Sequence, residues 1–407
     1  MYRITIKEGK DKAPKRHHPW IFSGAIEKIE PAFTESDWAE VYSATGLFIA
    51  YGWYDEKSHI ILRLISWNKK DKPEEELVRR LVREAAIRRK DFFSLPDTTA
   101  FRLIHGDADF LPGLALDVYG RELRAIISSR FADHFLPVIA EELDRLLHPV
   151  LLEAVTDKQF AGLEGLSERI RYFREGKETK EDGNRDNVRF IEKGIWYEAA
   201  PGKGQKSGFY CDQRDNRMIT EEYAKGKTVL DLFSYTGGFT LHALRGGALS
   251  VDAVDSSESA LRHLLYQIHL NEDKKVIPEG SRERVTITTA DAFEFIRATE
   301  DNKYDMMILD PPKLAKTKSS LDNAMKAYKD LNRVAMMKIK NGGIIATYSC
   351  SGAMTREDFR MMLGWAAHDA LCDVEILRTL SAGEDHPVRL SFPESEYLKG
   401  YILRVLK

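Results

Sequence analysis

The sequence predicts an α/β protein, built on an open and mainly parallel sheet in its C-terminal half, with a small β-rich module and an α+β region ahead of it. Five apolar runs after residue 227 each read as a strand and each end in polar or reactive residues: Asp231, Asp255, Asp291, Asp310 and Cys350. Before them, residues 1 to about 70 carry short alternating stretches separated by turn residues, the pattern of half-buried strands. Residues 174–189, REGKETKEDGNRDNVR, are almost entirely charged or small, which marks a solvated loop or hairpin tip at a domain boundary. These observations divide the chain into a module over 1–70, an α+β domain with a hairpin over 71–190, and a larger domain over 191–407.

In the first module, strands are expected over residues 2–6, 39–43, 47–53 and 60–66. Between the first two lies a basic loop with Lys7, Lys10, Lys12, Lys15 and Arg16, followed by His17, His18 and Trp20. Cations beside an aromatic can neutralise phosphates and stack a base, so Lys12, Lys15 and Arg16 are candidate RNA contacts. Trp20 and Phe22 are expected in the module's own core. Residues 73–93 read as one helix, with acids in its first turn and bases in its last, as the helix dipole favours. Six bases against one acid between Arg79 and Lys90 add a second candidate nucleic-acid surface, represented by Arg79 and Arg83. Strands over 101–106, 114–120 and 123–129, a helix over 133–147 and a further strand at 151–155 complete the α+β region.

The stretch TVLDLFSYTGGF, residues 228–239, organises the last domain. It reads as a buried strand, a turn that needs Gly237 and Gly238 for close backbone approach, and a helix from Thr240 onward. The turn lacks the G-x-G-x-x-G spacing that seats a pyrophosphate, and it keeps polar side chains at Asp231, Ser234, Tyr235 and Thr236. An acid with hydroxyls suits a cationic, phosphate-free ligand, and S-adenosylmethionine is one. The next strand, residues 250–254, ends at Asp255 and Ser256, where a carboxylate can accept from both ribose hydroxyls. A third strand, over 285–289, leads to Asp291, Ala292 and Phe293, an acid and an aromatic placed to hold the adenine amine and face. Upstream, Gln213 and Arg214 lie in a polar segment expected against the amino-acid end of the cofactor. The competing explanation is that each acid caps the helix that follows it, and for Asp291 alone the two are evenly matched.

The fourth strand, over 304–309, ends in Asp310-Pro311-Pro312-Lys313, and the fifth, over 343–348, in Ser349-Cys350-Ser351-Gly352. Enzymes that methylate an exocyclic amine commonly place an aromatic after such a proline turn, but here Lys313 follows. The basic stretch KLAKTKSS, with Lys316 and Lys318, suits an RNA backbone better than a stacked base. Carbon 5 of a pyrimidine becomes nucleophilic only after something adds to carbon 6, and a thiolate can do this. Cys350 stands where that thiol is needed. Lys313 and nearby backbone N–H groups can favour the thiolate, and Asp310 can hydrogen-bond the base edge. The base that removes the carbon 5 proton is not identifiable. The bland alternative for Cys350 is a small buried residue at a strand end. Cys211 reads as packing and Cys372 as core.

With 43% apolar residues over 407 positions, the chain has enough material for ordinary cores. It lacks a membrane-length apolar run and a signal-peptide core, so a soluble cytoplasmic protein is expected. Three scattered cysteines make neither a disulfide frame nor a zinc knuckle, and no metal is expected. The net charge of −3 argues against a uniformly basic nucleic-acid binder, which leaves local patches to do any such work.

At these residues the chain resembles the RlmI-like family of class I methyltransferases. RHHPWIFSGAI resembles the family's N-terminal PUA module and GDADFLPGLALDVYG its middle domain; GQKSGFYCDQRDNR, LDLFSYTGGF, LDPPKL and YSCSG resemble successive motifs of its catalytic domain. The resemblance implies a small β-barrel PUA module, an α+β middle domain, and a Rossmann-like catalytic domain with a seven-stranded sheet. It also implies S-adenosylmethionine as cofactor, 5-methylcytosine in 23S ribosomal RNA as product, and the nucleophile at Cys350. The chain departs from the pattern at Asp107, where glutamate is commoner, and at Cys211, where an apolar residue is. Relatives in the wider RNA 5-methylcytosine group carry a product-releasing cysteine where this sequence has Lys313, so release must proceed differently here. A methyltransferase acting on a base nitrogen or on guanine, and a non-catalytic RNA-binding assembly factor, remain open alternatives. Neither the modified nucleotide nor the oligomeric state is legible, and a homodimer remains possible.

Overall fold

The structure, a computed structural model, describes residues 1–31, 36–156, 161–162, 164–180, 187–199, 208–314 and 321–407. Packing divides the chain into two compact units. One comprises Met1–Phe190, Ala199–Cys211 and Glu384–Ser395; the other comprises Ile191–Glu198, Asp212–Gly383 and Glu396–Lys407.

The first unit opens with β1 (Tyr2–Ile6), a single helical turn α1 (Lys12–Lys15), β2 (Trp20–Ile21), β3 (Ile26–Glu30), β4 (Trp38–Tyr42), β5 (Phe48–Tyr54) and β6 (Leu62–Ser66). These strands form one sheet in the order β2-β6-β5-β4-β1-β3, with β1 and β4 parallel. Alternation along the strands gives the sheet two apolar faces. Ile4, Ile6, Val41, Leu62 and Leu64 make one core, while Trp38, Trp53 and Ile65 belong to another. That second core is shared with α2 (Glu75–Arg88), whose buried stripe is Leu77, Val78, Leu81, Val82 and Ala85. The module thus keeps one interior made of its own residues, between Tyr2 and Leu64, and shares the other with the elements that follow.

The same core takes in β7 (Ala100–His105), β8 (Leu114–Tyr119), β9 (Glu122–Ile127), α3 (Arg130–Leu147) and β10 (Leu151–Thr156). With β11 (Ile170–Arg174) and β12 (Lys177–Thr179) these strands make a sheet in the order β12-β11-β10-β9-β8-β7. Only β9 and β10 pair in parallel, and α3 supplies the crossover such a pair requires. α3 starts three residues earlier than its apolar pattern suggests, because Ser129 caps it by accepting from Ala132 N at 3.1 Å. α2 stops at Arg88, five residues short of the expected end. Arg89 turns inward and buries its guanidinium on Asp109 at 2.7 and 2.8 Å.

One expectation for this unit is corrected. Phe22 is 44% exposed against His59 and lies outside the core. Arg79 and Arg83 do not form an open cationic strip: Arg79 binds Glu141 and Glu142, and Arg83 binds Glu76 and Glu142, stitching α2 to α3. The charge of these two bases is met by Glu76 of their own helix and by Glu141 and Glu142 of its neighbour.

A two-stranded hairpin, β13 (Val188–Glu192) and β14 (Ile195–Ala199), precedes the second unit's main body. There follow α4 (Arg214–Glu221), β15 (Thr228–Leu232), α5 (Gly238–Arg245), β16 (Ser250–Asp255), α6 (Glu258–Asp273), β17 (Val285–Thr289), α7 (Ala292–Ala298), β18 (Met306–Leu309), α8 (Leu321–Lys338), β19 (Ile344–Ser349), α9 (Arg356–Asp369), β20 (Asp373–Ser381) and β21 (Lys399–Leu406). The seven strands line up as β17-β16-β15-β18-β19-β21-β20. β15 to β19 run parallel, and β21 is antiparallel to both of its neighbours. Chain order reverses beside β15, so the opening for a ligand lies at the carboxyl ends of β15 and β18. Among the described residues, no helix is long and apolar enough to cross a membrane.

Candidate active site

Register fixes which residues share a rim. Val254 pairs with Leu232, Leu232 with Leu309, and Leu309 with Thr347, so Asp255, Phe233, Asp310 and Cys350 follow on the same side of the sheet. Three strand spacings, about 14 Å in all, separate the Asp255 and Cys350 positions.

The turn after β15 is tightly made. Phe233 and Tyr235 adopt positive φ values of 64° and 48°, and Gly237 reaches 86°. A Cβ on Gly237 would stand 2.0 Å from Leu264 Cδ1, so helix α6 packs against bare backbone there. Asp255 ties the turn down from the adjacent strand, accepting from Tyr235 N at 2.9 Å through Oδ2 and from Ser257 N at 2.8 Å through Oδ1. Gln267 donates to Thr236 O at 2.6 Å.

Asp231 is fully buried at the base of this turn and accepts from Thr240 Oγ1 at 2.6 Å. Burial, reinforced by the charge of Asp255, pushes its pKa up to about 7 against the pull of the Thr240 hydrogen bond. Among the described residues, its Oδ1 and the buried Ser234 Oγ meet no hydrogen-bond partner. Native interiors rarely leave such atoms alone, and two together at a strand end are acceptors waiting for donors. Asp310 is pushed up to about 7 as well, chiefly by burial and then by Asp212, while Gln213 and Arg217 hold it down. Asp212 itself accepts from Tyr397 Oη at 2.6 Å.

Cys350 is half-buried just beyond β19, its Sγ 4.0 Å from Pro311 O in the turn after β18. Two residues unremarked in the sequence stand beside it. Tyr328 of α8 is buried with its hydroxyl 3.2 Å from Ser351 Oγ, and burial together with Cys350 pushes it up to about 12. Lys399 of β21 is fully buried and donates to Ser351 O at 2.7 Å and to Tyr397 O at 2.8 Å. A lysine opening an apolar strand, as in LKGYILRV, was the available signal. Lys313 is exposed in the turn after β18.

The other expected site residues scatter in role. Gln213 is buried and accepts from Asn216 Nδ2 at 2.6 Å, and Arg214 is buried with its guanidinium on Asp215. Ser256 is exposed beside Asp255. Asp291 caps α7, its Oδ1 accepting from Phe293 N and Glu294 N at 2.9 and 3.0 Å, as the competing explanation holds. Ala292 is buried, and Phe293 meets Phe233 edge-on at 5.9 Å. Lys12, Lys15 and Arg16 are exposed on and after α1, where Lys15 pairs with Asp11. Trp67 anchors that turn by donating to Pro14 O at 2.7 Å. Lys316 and Lys318 lie outside the described residues.

Residues 4–67 match the PUA-like domain family, and residues 170–375 match the S-adenosylmethionine-dependent methyltransferase family. A Vibrio cholerae protein named ribosomal RNA large subunit methyltransferase I is 34% identical over 405 residues, covering 99% of each chain. The chain belongs to the ribosomal RNA large subunit methyltransferase I family. A second member, from Vibrio parahaemolyticus, is 35% identical over 407 residues with the same coverage. In fold, this methyltransferase I chain is similar to a solved structure described as a methyltransferase complexed with SAH, with a TM-score of 0.82 at 21% identity over 99% of this chain and 100% of the other. Its cofactor is S-adenosylmethionine. The residues present fit that group: Asp231 Oδ1 and Ser234 Oγ offer unmatched acceptors to amine and hydroxyl donors, at the rim where the sheet order reverses.

Proposed function

We propose that this methyltransferase I family member forms 5-methylcytosine in 23S ribosomal RNA, with Cys350 as the nucleophile. The observation that carries the reading is a thiol on the turn after β19, 4.0 Å from the turn that begins with Asp310, on the rim that also holds Asp231 and Asp255. Asp231, Ser234, Tyr235, Thr236, Gly237, Asp255 and Ser256 would hold the cofactor, with Gln213, Arg214, Asp291, Ala292 and Phe293 around it. S-adenosylmethionine supplies, when bound, an electrophilic methyl group.

The chain's own part is to make cytosine reactive. Cys350 Sγ as thiolate forms a bond to C6, and the displaced electron pair moves through the ring toward C5 and N3. Asp310, with a pKa near neutrality, can hold a proton and donate it in a hydrogen bond to N3, where charge develops. Once C5 carries the methyl group, its proton leaves to a base, the S–C6 bond breaks, and the pair returns to sulfur. Exposed Lys313 lies where it can meet the RNA backbone. Lys12, Lys15 and Arg16, on the PUA-like module, would neutralise phosphates further along. Lys316 and Lys318 are proposed for the same task on their basic character alone.

The test is bisulfite sequencing of ribosomal RNA from a strain lacking the gene. One cytosine signal should disappear, return with the intact gene, and stay absent with a Cys350→Ala copy that folds. Methylation that survives Cys350→Ala would point to nitrogen transfer and end the thiol mechanism.

A further inference from the structure

Lys399 is an unusual residue to find without solvent, and its surroundings give it a task. It stands on β21 directly opposite Ser349 of β19, so its side chain reaches the turn that carries Cys350. Its ammonium spans that turn and its own strand entry, through Ser351 O at 2.7 Å and Tyr397 O at 2.8 Å. Two carbonyls provide dipoles but no countercharge, and a buried ammonium is costly without one. The carboxylate nearby, Glu396, is committed to Arg356 at 2.7 Å. Lys313 and Arg356 add positive charge around Lys399, and Tyr328 faces Cys350 with a neutral hydroxyl. Among the described residues, Cys350 joins Glu396 as a group that can face Lys399 as an anion.

We infer that Lys399 is a positioning residue for Cys350: its grip on the Ser351 carbonyl fixes the turn bearing the sulfur, and its charge holds that sulfur as thiolate. The inference rests on the reading of Cys350 as nucleophile. Burial pulls the lysine down to about 8, with Cys350 acting in the opposite direction. Nothing in an apolar strand pattern indicates this pairing, because it arises only when β21 inserts antiparallel beside β19.

Alkylation of Cys350 by iodoacetamide, read by peptide mass spectrometry between about pH 6 and 10, tests it in the full-length protein. Lys399→Gln should raise the midpoint by about one pH unit and slow alkylation at pH 7 about tenfold, whereas Lys399→Arg should keep it near the parent value. An unchanged midpoint in a Lys399→Gln protein that melts cooperatively would overturn the inference. Should Lys399→Gln fail to fold, Cys350→Ser gives the converse measurement. The titration of selectively labelled Lys399, followed by NMR, should then shift to lower pH, and an unmoved midpoint would overturn the inference equally. Neither readout involves methyl transfer, so loss of the nucleophile reading and loss of this pairing are separate results.

Discussion

Asp231 shows how far one side chain can be pushed by its setting. Its pKa rises from 3.8 to about 7 because burial penalises the carboxylate. Between about pH 4 and 7 the folded chain therefore holds a proton that the unfolded chain has released, so this group makes the ligand-free protein more stable as pH falls through that window. Ligand binding runs the other way. A donor meeting Asp231 Oδ1 favours the carboxylate, so SAH affinity measured by calorimetry should weaken about fivefold from pH 7 to pH 6. Asp231→Asn should flatten that dependence, while Asp310→Asn should leave it in place. A flat profile in the parent protein would remove Asp231 from the cofactor site. Asp231, Asp255 and Asp310 were legible in the sequence as acids at strand ends. The partners that tune them were not, since Thr240, Asp212 and Arg217 act across turns and between elements.

At the scale of the element, the β15–turn–α5 unit depends on backbone more than on side chains. Gly237 combines a φ of 86° with a site where a Cβ would stand 2.0 Å from Leu264 Cδ1. Gly237→Ala therefore adds backbone strain of about 1 kcal/mol to a steric clash with helix α6, costing about 2–4 kcal/mol in all. The expected outcome in chemical denaturation is a lower midpoint together with weakened SAH binding, because the turn cannot shift without moving Ser234 and Tyr235. Full stability and binding in Gly237→Ala would show that the turn tolerates another path. The double glycine announced this constraint in advance. The end of α2 was not announced, because burial of Arg89 on Asp109 outweighs the local preference to continue the helix.

Across the whole molecule, a short piece between β20 and β21 packs far from its sequence neighbours. Within the first unit, Asp385 Oδ2 accepts from Arg102 N at 2.7 Å, Arg89 donates to Asp385 O at 3.0 Å, and Phe392 meets Trp20 at 4.7 Å. Asp385→Ala removes the acceptor of the partly buried Arg102 amide, which should cost about 1–2 kcal/mol. Hydrogen exchange should show faster loss of protection at Arg102 and along β7, with the seven-stranded sheet unaffected. Equal protection in parent and variant would mean that the segment contributes nothing to the unit it joins. Divisions near residues 70 and 190, read from composition, follow changes in pattern. One packed core crosses the first of them, since Trp38 and Trp53 share an interior with α2 and α3, while the core of the seven-stranded sheet begins at Leu230.

What the sequence by itself determined was local in origin: which runs are strands, where the glycine turn breaks β15, and that acids and a cysteine stand at strand ends. Period, turn chemistry and residue type encode these within a dozen positions. Tertiary structure alone decided which charges are spent on one another, as Arg79 and Arg83 are on Glu141, Glu142 and Glu76. It alone decided that Lys399 faces the cysteine turn and that residues 384–395 belong with the first unit. The reason is physical: desolvation and ion pairing depend on which surfaces meet, and those surfaces come from positions tens to hundreds of residues apart.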